Sequence, residues 1–394
     1  MGHTTNFFES KKDWSRNKDA VLERYLTPYT AKILNTHKPL VIIDCFAGKG
    51  KFDDGSAGSP IIIANHIRSV LENDRGNKNI SGLFIESKYA KDLETNLNGY
   101  KNCGILHGTF KEHLDKILAL NSQYNVFLYI DPYGVKCLDF QQFEQIKAKQ
   151  FSSLEMILNF NFIAFWREGH RLLGLDYEDL FSNGQCDDEY ELDEANNIGL
   201  MNNVAHGEYW QHFIRENKNK TITAFEAEER FINKYMEEIK KLFTYAVNIP
   251  IRLKRENVPK YRLIFGSNHQ DGFILMADNM SGIWKKLRNV QSGGQKALFE
   301  YDFPDTSIQP GFDLKEGILK VLKKHKDPLF LQDLLVELFR NYQIAFSEKE
   351  YKGKIKEMEG NQILVDRYPA LTEKGKKATA LNYRDYKITV GLKP

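Results

Sequence analysis

The residues best suited to chemistry in this sequence lie around a glycine-rich turn at 43–50. That segment reads Ile-Asp-Cys-Phe-Ala-Gly-Lys-Gly, so a short apolar run passes through Asp44 into Gly48 and Gly50. Glycine lets the backbone turn sharply and approach a ligand closely. The Gly-x-x-x-x-Gly-Lys-Ser/Thr pattern of a P-loop is absent. The turn alone also fits an enzyme that binds a dinucleotide. The residues that follow the next predicted strands must therefore indicate which cofactor the turn binds.

Three further polar features each follow a short apolar run. Glu86 comes after the run at 83–85, and a carboxylate there can accept hydrogen bonds from both hydroxyls of a ribose. His107-Gly-Thr-Phe110 follows the third run, where an adenine would pack, and Asp131-Pro-Tyr-Gly134 follows the fourth. Ligands of open α/β sheets bind at the carboxyl ends of the strands. The four features therefore predict one crevice.

The elements that must position these residues are short buried strands alternating with helices. This alternation predicts a parallel sheet with helices on both faces. We expect strands at 40–43, 83–85, 104–106, 126–130 and 156–158, and helices at 14–34, 61–71, 91–97 and 110–120. From 165 to 245 the pattern indicates a helical insertion, with its clearest helix at 225–243. The runs at 261–265 and 273–276 are expected to form the final hairpin of the sheet.

The C-terminal part of the chain has a different pattern. Two prolines and a glycine between 304 and 312 predict a linker at 303–312. Beyond it we expect a domain at 313–394, with helices at 314–324, 329–342 and 347–358 and a hairpin at 362–365 and 368–371. The run at 371–378 resembles the stretch that commonly closes winged helix-turn-helix domains.

Two segments also resemble known motifs. Asp-Cys-Phe-Ala-Gly-Lys-Gly at 44–50 resembles motif I of class I methyltransferases. The segment at 131–134 resembles their motif IV, in the Asp/Asn-Pro-Pro-Tyr style of enzymes that methylate exocyclic amines. Tyr133 stands where that motif has its second proline, which leaves amine chemistry open. Together with Gly-Ser-Pro at 58–60, these segments resemble the three-Cys-motif partner protein family, TcmP, over roughly residues 10 to 280. A winged-helix tail is a usual companion.

These resemblances imply a Rossmann-like class I methyltransferase domain over residues 1–302, with S-adenosylmethionine as its cofactor. The implied cofactor contacts are Asp44, Phe46, Ala47, Gly48, Gly50, Glu86, Thr109, Phe110 and Asp131. In catalysis Asp131 would accept a hydrogen bond from the substrate nucleophile, Pro132 would fix the loop, and Tyr133 would stack on a planar substrate. Asn159 could line the substrate pocket, and a turn role is equally compatible with its position.

The expected partners are inferred from the predicted C-terminal domain and from the TcmP resemblance. Lys352 and Lys356 on the last predicted helix, with Arg367 in the hairpin, are the candidate phosphate contacts for DNA or RNA. The TcmP resemblance implies a cysteine-motif partner protein of a radical-type or phage-related kind.

Three functions stay open at this point. The first is a methyltransferase acting on an amine of a nucleic-acid base or nucleotide. The second keeps the enzyme and changes the substrate to a small molecule or protein. The third is a methyltransferase-like binding or adaptor protein. An intact Asp-Pro-Tyr motif beside an intact glycine turn favours the enzymes.

Composition and charge restrict the class of protein that this sequence encodes. The mean hydropathy of −0.50 and the absence of an apolar run of roughly 18 residues predict a soluble, cytoplasmic protein without a membrane partner. The four cysteines contain no CxxC pair, so we expect neither a metal site nor a disulfide framework. The net charge of +2 does not indicate nucleic-acid binding by itself, and the acidic run at 176–194 is expected to be a solvated loop.

Overall fold

The computed structural model describes residues 10–73, 79–177, 197–252, 254, 257–291 and 313–393. The chain divides into two compact units, residues 1–269 and residues 270–394. The predicted linker at 303–312, the predicted domain boundary at 302 and most of the acidic run lie outside the described residues. Within the described part of the chain, no helix combines the length and the apolar character needed to cross a bilayer.

The first unit is built on a seven-stranded sheet. Its strands are β1 (Leu40–Asp44), β2 (Ile80–Glu86), β3 (Cys103–His107), β4 (Asn125–Ile130), β5 (Ser153–Asn161), β6 (Tyr245–Ile251) and β7 (Tyr261–Ser267). They lie in the order β3-β2-β1-β4-β5-β7-β6. β1 to β5 are parallel, and β7 runs antiparallel to both β5 and β6.

Nine helices are described in this unit. They are α1 (Asp13–Ile33), α2 (Ser59–Asn73), α3 (Ala90–Leu97), α4 (Leu114–Leu118), α5 (Phe140–Ala148), α6 (Phe162–Leu172), α7 (Ile198–Ala205), α8 (Tyr209–Lys218) and α9 (Ala224–Leu242). Short 3-10 turns occupy Leu34–Thr36 and Val135–Cys137. Every residue of β1, β4 and β5 is buried, as expected for parallel strands covered on both faces. The five predicted parallel strands are therefore confirmed.

The predicted final hairpin is wrong in one strand. β7 coincides with the run at 261–265, but its hairpin partner is β6, while the run at 273–276 lies inside a helix, α10 (Gln270–Gln291). Phe273, Met276 and Met280 of that helix are buried. Their spacing of three and four residues is helical, whereas a four-residue apolar run by itself fits a strand equally well.

The helical region between β5 and β6 packs an aromatic core against the sheet. Phe160 of β5 lies with its ring centroid 5.3 Å from Phe231 and 4.9 Å from Tyr235, both on α9. α9 begins with a reciprocal capping box between Thr223 and Glu226. The predicted helical insertion at 165–245 is thus confirmed where the structure describes it, at 165–177 and 197–245.

The second unit contains α10, α11 (Leu314–Leu322), β8 (Leu329–Phe330), α12 (Leu331–Tyr342), α13 (Glu348–Met358), β9 (Ile363–Tyr368) and β10 (Lys387–Leu392). Its three strands form an antiparallel sheet in the order β8-β10-β9. The winged-helix assignment of this unit stays a prediction.

The predicted hairpin of the second unit is corrected in its second strand. β9 continues to Tyr368, and its partner is β10 rather than residues 368–371. Pro369 has no backbone N–H to donate into a ladder, so the strand stops there. Residues 371–378 instead contain an isolated bridge between Leu371 and Lys377.

Candidate functional site

Four predicted site residues meet at one edge of the sheet. Asp44 ends β1, Glu86 ends β2, Asp131 follows β4, and Asn159 lies near the end of β5. Because these strands are parallel neighbours, their carboxyl ends share that edge. The order of the strands reverses between β1 and β4, and such a switch point is where open α/β sheets bind ligands.

The glycine turn after β1 has the backbone geometry that its glycines predict. Gly48 has a φ of 62° and Gly50 a φ of 83°, in the left-handed region that favours glycine. The loop folds back on itself, since the Gly58 N–H donates to the Gly50 carbonyl oxygen at 2.8 Å. A Cβ on Gly50 would lie 3.0 Å from Leu93 Cδ1, so a side chain here would require Leu93 to shift as well as the strained positive φ.

Asp44 is fully buried and holds both ends of the turn. Its carboxylate accepts a hydrogen bond from the Ser59 hydroxyl at 2.7 Å and one from the Phe46 N–H at 3.3 Å. Burial raises the pKa of Asp44 to about 7, and the Ser59 hydrogen bond opposes that rise. Both bonds are internal, so Asp44 shapes the turn, and its direct contact with a cofactor stays a prediction.

Glu86 faces the turn from β2. Its carboxylate accepts hydrogen bonds from three backbone N–H groups: Gly48 at 2.7 Å, Lys88 at 2.8 Å and Tyr89 at 3.0 Å. A carboxylate offers about four acceptor positions, which leaves roughly one for a ribose hydroxyl. The adjacent Ala47 is fixed by its N–H donating to the Ile85 carbonyl at 3.0 Å. The residues on this side therefore fit an adenosyl group bound through one ribose hydroxyl.

Two aromatic rings follow β1 and β3 and contact each other. The ring centroids of Phe46 and Phe110 are 6.0 Å apart at an interplanar angle of 58°. Phe110 is buried, while Thr109 is exposed and exchanges hydrogen bonds with Glu112, its N–H donating at 2.6 Å. Thr109 thus caps the turn that follows β3. The expected contact of Thr109 and of these two rings with a cofactor stays a prediction.

Asp131 is held by a residue that sequence reasoning missed. Lys18 of α1 donates to both Asp131 carboxylate oxygens, at 2.9 and 2.8 Å, and the Asn159 amide donates to Oδ1 at 2.6 Å. Lys18 is buried, and its ammonium lies 4.8 Å from the ring centroid of Tyr261. A sequence signal did exist: Lys18 precedes Val21, Leu22 and Tyr25 on the apolar stripe of α1, where a lysine needs a buried partner.

The rest of the Asp-Pro-Tyr motif and its neighbour have distinct environments. Pro132 is buried, and Tyr133 is 50% exposed. Asn159 is buried, and within the described residues its Oδ1 has no hydrogen-bond partner. A buried acceptor left without a donor costs stability. Asn159 therefore acts on Asp131 through its amide N–H, and its position inside β5 excludes the turn role.

The three predicted phosphate contacts of the second unit are not equivalent. Lys352 pairs with Glu348 at 2.5 Å and lies over the Tyr383 ring at 4.5 Å, whereas Lys356 is exposed. The Arg367 guanidinium is buried and donates to both Glu359 carboxylate oxygens, at 2.6 and 2.8 Å. The phosphate-contact role expected of Arg367 is corrected accordingly: this side chain is enclosed by its own domain.

A metal centre is not formed by the side chains that the structure describes. Among them, no group of three His, Cys, Asp or Glu residues has the arrangement to hold an ion.

The strand order and the position of the site define the class of fold. Strands β3-β2-β1-β4-β5 follow the doubly wound order, extended by the antiparallel pair of β7 and β6. The predicted class, a Rossmann-like α/β fold of the class I methyltransferase type, is therefore confirmed.

No protein-family model matches the chain, and no curated protein matches it. Among solved structures, a DUF519-family protein from Legionella pneumophila is 10% identical with a TM-score of 0.36, covering 72% of this chain and 94% of its own. The spermidine synthase of Thermotoga maritima is 10% identical with a TM-score of 0.31, covering 71% of each chain. The plantazolicin methyltransferase BamL, in complex with SAH, is 9% identical with a TM-score of 0.29, covering 65% of this chain and 86% of its own. All three TM-scores are below 0.5, so the fold assignment depends on the strand order.

Proposed function

We propose that this chain is an S-adenosylmethionine-dependent methyltransferase that methylates an amine of a nucleic-acid base or nucleotide. One observation carries the proposal. The Asp131 carboxylate, 21% exposed and oriented by Lys18 and by the Asn159 amide N–H, lies at the sheet edge that also bears the glycine turn and Glu86. Such an oriented carboxylate would accept a hydrogen bond from a substrate amine, and this supports the proposal.

The cofactor supplies an electrophilic methyl group when bound. Glu86 would accept one ribose hydroxyl, and Phe46 and Phe110 would enclose the adenine. The tight turn at Gly48 and Gly50 would let the backbone approach the cofactor closely.

The substrate side needs acceptors more than a strong base. An exocyclic amine carries two N–H groups, and Asp131 would accept a hydrogen bond from one of them. As the nitrogen bonds to the methyl carbon and the sulfur leaves with the electron pair of the carbon–sulfur bond, the nitrogen must lose one proton, which Asp131 would accept and pass to solvent. Lys18 fixes the orientation of the Asp131 carboxylate, so the nitrogen lone pair would be aimed at the methyl group. Proximity and preorganised electrostatics then supply most of the rate. Tyr133 would stack on the planar base, which must leave a duplex before it can react.

The partners belong to the same proposal. The TcmP resemblance implies a cysteine-motif protein, of a radical-type or phage-related kind, that works with this chain. The second unit, as a winged helix-turn-helix, would hold DNA or RNA.

One observation favours the alternative, a binding or adaptor protein. Lys18 already engages both oxygens of Asp131 without a substrate, an arrangement that also suits a carboxylate with a purely structural role.

The test is methyl transfer from labelled S-adenosylmethionine to single-stranded DNA, RNA and free nucleosides. We expect label in an exocyclic amine of one base class, and a loss of about a thousandfold in Asp131→Ala, because that variant removes the oriented acceptor. Asp92→Ala, which removes an exposed carboxylate of α3, is the control and should retain the rate. Label in protein or a small molecule would replace the substrate class, and cofactor binding without any transfer would favour the adaptor.

A further inference from the structure

The glycine turn continues directly into a small hairpin at residues 51–57. Lys51 and Ala57 form its antiparallel bridge. The next residue, Gly58, donates its N–H at 2.8 Å to the carbonyl oxygen of Gly50, which is the last residue of the turn. Ala57 is therefore connected to Gly50 through one peptide unit and one hydrogen bond, so a shift of the hairpin would also shift the turn.

The segment before α1 holds this hairpin through one lysine. The Lys11 ammonium donates to the Ala57 carbonyl oxygen at 2.6 Å, and the Lys11 backbone N–H donates to Asp54 Oδ2 at 3.3 Å. The same ammonium pairs with the carboxylate of Asp19, on α1, at 2.5 Å. Lys11 thus connects α1 to the hairpin at two points, the carbonyl at its end and the carboxylate of Asp54.

The Lys11–Asp19 pair is enclosed by protein. The two side chains are only 10% and 9% exposed. Charged side chains leave water only where they find a partner, and an enclosed pair is screened by salt much less than a surface pair. The neighbouring Lys12 differs, because it forms the N-cap of α1 and its side chain makes no capping hydrogen bond. The enclosed contacts of Lys11 therefore fix a position, whereas Lys12 adds a charge without that anchoring.

The same part of α1 also reaches the substrate side of the crevice. Asp19 directly follows Lys18, whose ammonium holds the Asp131 carboxylate. α1 and the segment before it therefore carry one anchor for each side, Lys11 for the glycine turn and Lys18 for Asp131.

We propose that Lys11 is a positioning residue of the cofactor site, which holds the hairpin and the glycine turn in the form that admits S-adenosylmethionine. Lys11 acts through the Ala57 carbonyl and the hydrogen bond between Gly58 and Gly50. Without this anchor the turn has the binding form in only a fraction of the molecules, and the apparent affinity falls by that fraction. The inference rests on the proposed function, because it concerns the same cofactor.

The first measurement is calorimetric titration of S-adenosylmethionine into the full chain at about pH 8, above the pKa of about 6 to which burial raises Asp19. We expect Lys11→Met to weaken binding by roughly tenfold, the effect of about one hydrogen bond to a charged group. Lys11→Arg keeps a cation that can bind the same two oxygens, so it should restore most of the affinity. Lys12→Met removes the same charge one residue later and should bind like the wild type.

Hydrogen exchange of the chain without cofactor is the second measurement. In Lys11→Met the amides of residues 48–58 should exchange roughly tenfold faster, since their exchange follows the local opening of the turn. Peptides from β4 and β5 should keep the rates of the wild type. If Lys11 only stabilises the unit as a whole, exchange will rise throughout the sheet as well.

The outcomes separate this inference from the proposed function. A wild type that binds S-adenosylmethionine no better than Lys11→Met overturns the inference and leaves the cofactor site in place. An equal loss in Lys12→Met, or faster exchange throughout the sheet, also overturns it. A wild type that binds no cofactor contradicts the proposed function. The exchange of residues 48–58 then decides the anchor by itself, and unchanged rates in Lys11→Met overturn it.

Discussion

The two sides of the candidate crevice are organised by contacts of very different range. On the β1–β2 side, the carboxylate of Glu86 is held by backbone N–H groups of the glycine turn and of its own following residues. On the β4–β5 side, the carboxylate of Asp131 is held by Lys18, which lies 113 residues earlier in the chain. The first arrangement joins Glu86 to the residues that follow it and to the turn after the neighbouring strand, β1. The second exists only when α1 packs on the assembled sheet.

α1 organises a second acid on the same side. Its Tyr25 hydroxyl donates to Glu155 of β5 at 2.5 Å, and Ser267 of β7 donates to the other oxygen of that carboxylate at 3.0 Å. The part-buried Asp131 at the crevice and the buried Glu155 near the start of β5 thus both depend on one N-terminal helix. Variants of Lys18 should therefore act on the substrate side first, because α1 contacts α2 through other residues, such as Thr30, whose hydroxyl lies 2.9 Å from His66 Nε2.

The largest expected effect comes from breaking the Lys18–Asp131 pair. Lys18→Met leaves a mostly buried carboxylate without its cation and should lower the free energy of unfolding by about 3 kcal/mol. The double variant Lys18→Met/Asp131→Asn also removes the unpaired carboxylate charge, so it should recover most of the lost free energy of unfolding. Chemical denaturation measures the free energy of unfolding of the single and double variants. Arg24→Met, on the exposed face of α1, is the control. If the losses of the single variants simply add, the pair is not coupled and the contrast between the two sides fails.

The second largest expected effect is a loss of stability when the glycine turn on the cofactor side is substituted. It tests how closely this turn packs against its neighbours. Gly50 and Gly55 both have positive φ, 83° and 81°, but only Gly50 has a neighbour at 3.0 Å from an added Cβ. Backbone strain alone should make Gly55→Ala cost about 1 kcal/mol. Gly50→Ala adds the clash with Leu93 and should cost about 2 to 3 kcal/mol. Equal midpoints of denaturation for the two variants would show that the turn is not packed against α3.

The smallest effect is a pH dependence on the β4–β5 side. Burial raises the pKa of Glu155 from 4.5 to about 7 in the folded state. The folded chain then binds the proton more tightly than the unfolded chain, so this stabilisation is complete below about pH 4.5 and is lost as the pH rises through 7. Glu155→Gln should therefore raise the melting temperature by a few degrees more at pH 8 than at pH 4. The exposed Glu23→Gln should show no such difference, and a flat response in Glu155→Gln would contradict the assignment.

The same contrast explains what the sequence could predict. Local apolar runs and the residues that end them predict strands β1 to β5. They also predict the turn at Gly48 and Gly50 and the sheet edge shared by Glu86 and Asp131. Lys18 could not be paired with Asp131, because helical periodicity identifies a buried lysine without naming its partner. Likewise a short apolar run at 273–276 fits a strand or a helix, and only packing decides. The sequence could not identify Glu359 as the ion-pair partner of Arg367, because Glu359 lies on a neighbouring element and not at a helical spacing from it. Arg367 was therefore expected to contact a phosphate.

Calorimetric titration of S-adenosylmethionine into the full chain would show whether the edge bearing Glu86 binds this cofactor. Three proteins are compared: the wild type, Glu86→Ala, and Glu94→Ala, which removes a half-exposed carboxylate of α3 that pairs with His107 at 2.7 Å. We expect the wild type and Glu94→Ala to bind alike. We expect Glu86→Ala to lose about a hundredfold in affinity, since a charge-assisted hydrogen bond and the order of the turn are both lost. Absence of binding to the wild type, or equal binding to Glu86→Ala, would contradict the account.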